Sequence, residues 1–145
     1  MAYGFAQTLF FVAVLVPFGL RITTGAVGLM LMAIGGLLTA LAVGALMSTM
    51  ALRTGSSEAV QGSFPLLFVL LFFSSAFFPR ETMSGAYRRI ADWNPVSYLV
   101  EGFRSLTIGD VNATSIAQVV ALPAALAVVT MTGALAALAA RTRRG

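Results

Sequence analysis

Residues Phe64 to Leu106 read FPLLFVLLFFSSAFFPRETMSGAYRRIADWNPVSYLVEGFRSL, and the order of apolar and charged blocks in them decides the fold. An apolar run closes at Phe77-Phe78-Pro79, and charge begins at Arg80. The 21 residues between Glu58 and Arg80 carry no charge. At about 1.5 Å per helical residue they measure about 30 Å, the hydrocarbon thickness of a bilayer, so this stretch is expected to span a membrane. Past Pro79 the pattern changes to two short amphipathic helices. In the first, Met83, Tyr87, Ile90 and Ala91 fall at i, i+4, i+7 and i+8 and form an apolar stripe, with Arg88, Arg89 and Asp92 directed elsewhere. The second opens on Asn94-Pro95, an N-cap residue followed by proline at the first helical position, where its missing N–H costs nothing. Val96, Leu99, Val100 and Phe103 form its apolar face. Tyr98, Glu101 and Arg104 share the other side at three-residue spacing, which predicts a Glu101–Arg104 ion pair. Tyr87, Trp93 and Tyr98 carry amphipathic rings that favour the headgroup level.

The ordered blocks SSAFFPRETMSG, WNPVSY and EGFRSL resemble the C-terminal half of type-2 ABC exporter permeases, most closely the daunorubicin-resistance type. The residues that carry the resemblance are Ser74, Ser75, Ala76, Phe77, Pro79, Glu81, Thr82, Met83, Asn94, Pro95, Val96 and Arg104; upstream, Thr54 to Gly62 (TGSSEAVQG) resembles the family's cytoplasmic turn before this span. In that family a span ends in an SSAF-x-P motif, a short hairpin with an NP-x-x-Y-like turn follows, and an arginine closes the next helix. Where relatives have a proline and a tryptophan after Glu-Thr-Met, this chain has Ser84-Gly85-Ala86, and a looser start to the first hairpin helix is expected. The resemblance implies two permease units, as a homo- or heterodimer, two ABC ATPase subunits, and a substrate path between the permeases. It places the first apolar segment at the third of six spans, so residues 1–145 form the C-terminal part of the transmembrane domain, with two spans expected in a longer reading frame or a companion chain.

Composition agrees with a bilayer as the solvent. Of 145 residues 59% are hydrophobic, against about 45–50% for an ordinary soluble domain, and the mean hydropathy is +0.93. The net charge of +4 comes from nine arginines set against five acids. They are scattered over loops and ends, so no basic groove for nucleic acid is implied. Without cysteine or histidine there is no disulfide, no thiolate chemistry and no ordinary zinc site.

Outward from the central stretch, three further apolar segments appear. Met1 to Leu20 is uncharged and reads as a span, since no basic region precedes it as in a secretory signal. Ile22 to Leu52 is uncharged, with Thr23-Thr24-Gly25 as a turn and a helix over about Ala26 to Leu52. Gly36, Ala40, Gly44 and Ser48 recur on it at four-residue spacing and predict close helix packing. A last span covers about Ile116 to Ala140, with a second small-residue contact at Gly133 and Ala137, and ends in Arg141, Arg143 and Arg144. Asn112-Ala113-Thr114 matches a glycosylation acceptor by chance. The expected fold is therefore an all-α polytopic membrane bundle of about four transmembrane helices with a short extracellular helical hairpin before the last. Both termini and Arg53 fall on the cytoplasmic side by the positive-inside rule.

The expected spans contain no Asp, Glu, Lys, Arg or His. Ion-coupled carriers place such groups at mid-membrane, and intramembrane proteases need a base or paired acids there. Ser74 and Ser75 have no such partner and are expected to bond to their own helix backbone. Energy must then come from another polypeptide, because the chain has no G-x-x-x-x-G-K-[ST] loop for ATP. No cofactor is implied. The expectation is a multi-pass permease subunit of an ATP-driven exporter in a bacterial plasma membrane, moving a hydrophobic drug or lipid-linked compound, with antibiotic resistance as the phenotype. A four-span remnant with a structural or assembly role is the alternative. Ser75, Phe77, Pro79, Glu81, Asn94, Pro95, Tyr98, Glu101 and Arg104 are the candidate hairpin residues, acting as an external gate or as a plug over the span ends. Phe64, Phe68, Phe72, Phe73 and Phe77 face lipid or line a pocket for an aromatic drug.

Overall fold

The computed structural model describes residues 23–143 and, before them, Ala6, Gln7, Phe10, Ala13 and Val14, all five helical. The expected first span, Met1 to Leu20, otherwise lies outside the described residues, as does Arg144. Thr23 and Thr24 turn the chain into α1 (Gly25–Thr54), which opens on a glycine at φ 60° and closes on the left-handed Gly55 at φ 69°. There follow α2 (Ser57–Gln61), α3 (Phe64–Phe72), one 3₁₀ turn (Arg80–Thr82), α4 (Gly85–Trp93), α5 (Pro95–Ile108) and α6 (Ala113–Thr142). The described residues contain no strand.

Only α1 and α6, 30 residues each, are long and apolar enough among the described residues to cross a membrane by themselves. They run parallel: Gly35 meets Val119 near their beginnings, and Thr49 reaches the Thr130 carbonyl and Gly133 further along. At their common end Arg53 and Arg141 line one cavity of about 510 Å³. The third expected span is a broken one. Pro65 occupies its first turn, as a residue without an N–H can, but α3 stops after nine residues, about 13 Å, and residues 73–79 continue without regular helix.

The hairpin of α4 and α5 does not merely sit above the long helices. Phe103 lies beside Gly35, and the Leu106 carbonyl beside Gly28, so α5 runs antiparallel along the first turns of α1. Its end is tied down by the turn before α1. The Thr23 N–H donates to the Thr107 carbonyl at 3.0 Å, its hydroxyl to Gly109 at 2.8 Å, and the Thr24 hydroxyl to Leu106. Carbonyls that α5 leaves unpaired at its C-terminus are thereby satisfied by a neighbour.

Val119 is the knob at the centre of the three helices and is fully buried. A Cβ placed on Gly35 would stand 2.3 Å from Val119 Cγ1 and 2.6 Å from its carbonyl oxygen, and one on Gly102 would stand 2.7 Å from Cγ2. Both positions must therefore be glycine. The backbone at Val119 is also irregular: residues Ala117–Ala121 form a π turn, in which the Leu122 N–H reaches back five residues to the Ala117 carbonyl. Pro123 is the cause, since it has no N–H to return to the Val119 carbonyl. The start of α6 has its own device. Asn112 and Ser115 form a reciprocal capping box, which moves the helix start to Ala113, three residues before the expected Ile116, and gives Asn112 a structural task.

Close packing inside the chain runs through Gly28, Gly35, Ala42 and Thr49, seven residues apart, and not through the expected Gly36, Ala40 and Gly44. At 100° per residue a seven-residue step drifts only about 20°, whereas the four-residue series lies about 100° to 220° around the helix from Gly35. Ala40 and Gly44 are exposed, Gly36 is half-buried, and a Cβ at Gly44 meets nothing within 4 Å.

Gly35→Ala is therefore expected to destabilise the protein by about 1–3 kcal/mol through overpacking against Val119. Gly44→Ala is expected to be neutral or to stabilise by up to about 1 kcal/mol through helix propensity. Thermal unfolding of the purified chain in detergent separates the two.

Candidate functional site

The residues singled out in the hairpin converge on one place, the end of α3. From Leu70 onward each helical hydrogen bond is replaced by a specific alternative. The Ser74 N–H and hydroxyl both turn to the Leu71 carbonyl, at 3.2 and 2.6 Å, which leaves the Leu70 carbonyl without its helical donor. The Ser75 N–H donates instead to the Ser97 hydroxyl at 3.3 Å, and the Ala76 N–H to the Ser74 hydroxyl at 3.2 Å. Both serines are fully buried, as is Ser97. Ser74 thus bonds to its own backbone as expected, whereas Ser75 departs from that expectation: its hydroxyl donates to the Ser97 carbonyl of α5 at 2.9 Å.

The freed carbonyls are taken up by side chains of the hairpin. Asn94, 4% exposed, donates through Nδ2 to Leu70 at 2.6 Å and to Phe73 at 3.1 Å. Its Oδ1 meanwhile accepts the Val96 N–H at 3.0 Å, capping α5 with Pro95 in the first turn. One amide therefore starts one helix and ends another. The Tyr87 hydroxyl donates to the Phe72 carbonyl, and Arg104 Nη2 to the Ser75 carbonyl at 2.9 Å. Pro79 precedes the 3₁₀ turn and accepts from the Thr82 N–H and hydroxyl at 3.0 and 2.8 Å.

The expected Glu101–Arg104 pair does not form, because tertiary structure offers both groups better partners. Arg80 holds Glu101 through Nε and Nη2 and reaches Asp92 Oδ1 at 3.5 Å, while Arg104 is committed to the Ser75 carbonyl. A planar guanidinium suits such two-pronged binding. Its carbon stands 4.4 Å from the centre of the Tyr98 ring, whose hydroxyl donates to the Asp92 carbonyl at 2.7 Å. The hydrogen bonds that Arg80 donates to the Glu101 carboxylate outweigh partial burial and push the Arg80 pKa above its ordinary value. At the other end of α3, the Ser56 hydroxyl holds the exposed Glu58 carboxyl below the usual range.

Phe77 is exposed and stacks on Phe72, ring centres 5.0 Å apart; Glu81 is exposed and has no salt bridge among the described residues. Ser84 makes no side-chain cap for α4, and Gly85 stands at φ 60°. Met83 is buried in the extended link before α4; within α4 Ala91 is buried and Tyr87 half-buried, while Ile90 turns outward. Phe64, Phe68 and Phe72 are more than half exposed. Sequence reasoning missed Ser97, Tyr87 as a donor, and the Val119 junction; only the buried polar position of Ser97 among Val96, Leu99 and Val100 carried a signal for one of them.

Asn94→Ala is expected to cost about 2–4 kcal/mol, the sum of a lost cap and carbonyls left without a donor. A double-mutant cycle on Arg80 and Glu101 is expected to give a coupling of about 1 kcal/mol, and one on Glu101 and Arg104 a coupling near zero. Denaturant titration in micelles reads both.

Residues 1–108 match the family described as ABC-2 type transporter. No curated protein and no solved structure matches the chain. The match takes in α1, the broken helix α3 and the hairpin that caps it, and it leaves α6 outside. Covering well over half of the 145 residues, it shows that the chain belongs to the membrane-domain family of ABC-2 type transporters.

Proposed function

We propose that this chain is the permease subunit of an ATP-driven exporter of the daunorubicin-resistance type, moving a hydrophobic drug or a lipid-linked compound across a bacterial plasma membrane. What carries the reading is the family match over residues 1–108, since membership implies a permease component of an ABC exporter. The long helices support it: α1 up to Leu52 and α6 up to Ala140 contain no ionisable residue that could couple transport to protons or sodium. ATP hydrolysis then falls to a separate ABC ATPase, and a second permease completes the substrate path. The Gly36, Ala40 and Gly44 stripe remains available for close packing against another helix. Arg53 and Arg141 at one end of the long pair favour that end as cytoplasmic, with the hairpin toward the outside.

Within that machine the hairpin serves as a plug that holds the end of α3, with Asn94, Tyr87 and Arg104 bonded to backbone and Arg80 locked to Glu101. Inverted membrane vesicles containing the chain and an ABC ATPase from the same genome test the reading. They are expected to accumulate a fluorescent hydrophobic cation on adding ATP, and to stop when the ATPase loses its phosphate-binding lysine. Accumulation without ATP, or failure of the two polypeptides to copurify, would contradict it. Glu101→Gln is expected to lower the yield of folded permease by more than it lowers transport per folded molecule.

A further inference from the structure

Of the four arginines in the hairpin, two are engaged and two are not. Arg80 is held by Glu101 and Asp92, and Arg104 by the Ser75 carbonyl, whereas Arg88 and Arg89 form no ion pair among the described residues. At 100° per residue, Arg89, Ile90 and Trp93 share one flank of α4, and Arg88 and Asp92 lie on the other. The first flank faces α3 across a groove of about 420 Å³, with Val69, Leu70 and Phe73 on one wall, Ile90 and Trp93 on the other, and Arg89 beside them. That volume is within the usual range of ligand pockets, about 300–1,000 Å³.

Trp93 is the chain's one tryptophan and is 90% exposed, more than any other large apolar side chain among the described residues. An indole in that position is stable at a boundary where its ring meets hydrocarbon and its N–H meets water. The groove therefore suits an occupant that is apolar along the walls and negative at Arg89. A protein helix laid there would desolvate the guanidinium unless it brought its own carboxylate. A phospholipid needs no such device, because its acyl chain covers the walls while its phosphate stays with the guanidinium at the wet boundary.

We propose that the groove between α3 and α4 binds one acidic phospholipid, an acyl chain lying against Val69, Phe73 and Ile90 and the headgroup phosphate on Arg89, under the Trp93 ring. The site rests on the chain's lying in a bilayer and not on what it transports.

Trp93 is its own reporter, since no other tryptophan contributes fluorescence. The full chain is reconstituted in phosphatidylcholine vesicles containing a minor fraction of phosphatidylglycerol brominated near the headgroup, or the same fraction of brominated phosphatidylcholine. Quenching is expected to report an enrichment of the acidic lipid around Trp93 of about fivefold, the factor one arginine supplies at an anionic interface. Arg89→Gln is expected to bring the two lipids level with unchanged circular dichroism, Arg89→Lys to keep most of the preference, and Arg88→Gln, on the opposite flank, to keep it whole. Equal quenching by both lipids in the unaltered chain overturns the proposal. So does loss of the preference in Arg88→Gln to the same degree, or shielding of Trp93 from both lipids by a second copy of the chain. Quenching needs no ATPase, so a negative result leaves the permease reading standing, and failed transport leaves the lipid site standing.

Discussion

A backbone that leaves the helix inside a bilayer has to bring its own hydrogen-bond partners, because there is no water to supply them. Residues 73–79 leave the helix, and much of the surrounding structure follows from supplying their backbone with partners. Ser74 folds the last turn of α3 back on Leu71, which opens the Leu70 carbonyl; Asn94 closes it. Ser75 gives its N–H to Ser97 and its carbonyl to Arg104. Tyr87 reaches the Phe72 carbonyl. Asn94, Tyr87 and Arg104 are thus donors placed where the unwound segment has acceptors, and the Ser97 hydroxyl accepts the Ser75 N–H. No buried side-chain nitrogen or oxygen among the described residues lacks a partner.

The same constraint recurs where packing is tightest. Pro123 cannot return a hydrogen bond to Val119, the helix widens by one residue into a π turn, and the displaced Val119 wedges between Gly35 and Gly102. Three helices are joined at a point where neither Gly35 nor Gly102 tolerates a Cβ. Thr23 and Thr24 then tie the end of α5 to the beginning of α1. The hairpin is consequently fixed at the start of α5 by Asn94, at its middle by Val119 and at its end by the threonines.

Function in this family is a matter of where the energy enters. The long helices carry no ionisable group up to Leu52 and Ala140, and the family match places the chain among the membrane components of ABC exporters. The hairpin adds a second relationship with the surroundings: two arginines left out of the internal pairing, on the segment that also carries the exposed Trp93. Charges spent inside the protein hold the fold; those left over are the ones available to the membrane.

Residue order alone determined the membrane class, the family, the two long helices and the Asn94-Pro95 helix start, because each depends on composition, on the order of short motifs or on neighbours within one turn. The broken third span, the exchange of Arg104 for Arg80 as the partner of Glu101, and the contact face of α1 were decided only in three dimensions. Local spacing puts Glu101 and Arg104 within reach of each other, but it cannot say that a backbone carbonyl and a residue 21 positions away will compete better. It likewise shows small residues on α1 without showing which face meets Val119. Hydrogen bonds and close contacts are won by whichever partner the fold brings nearest, and that is a property of the packed chain and not of any stretch of it.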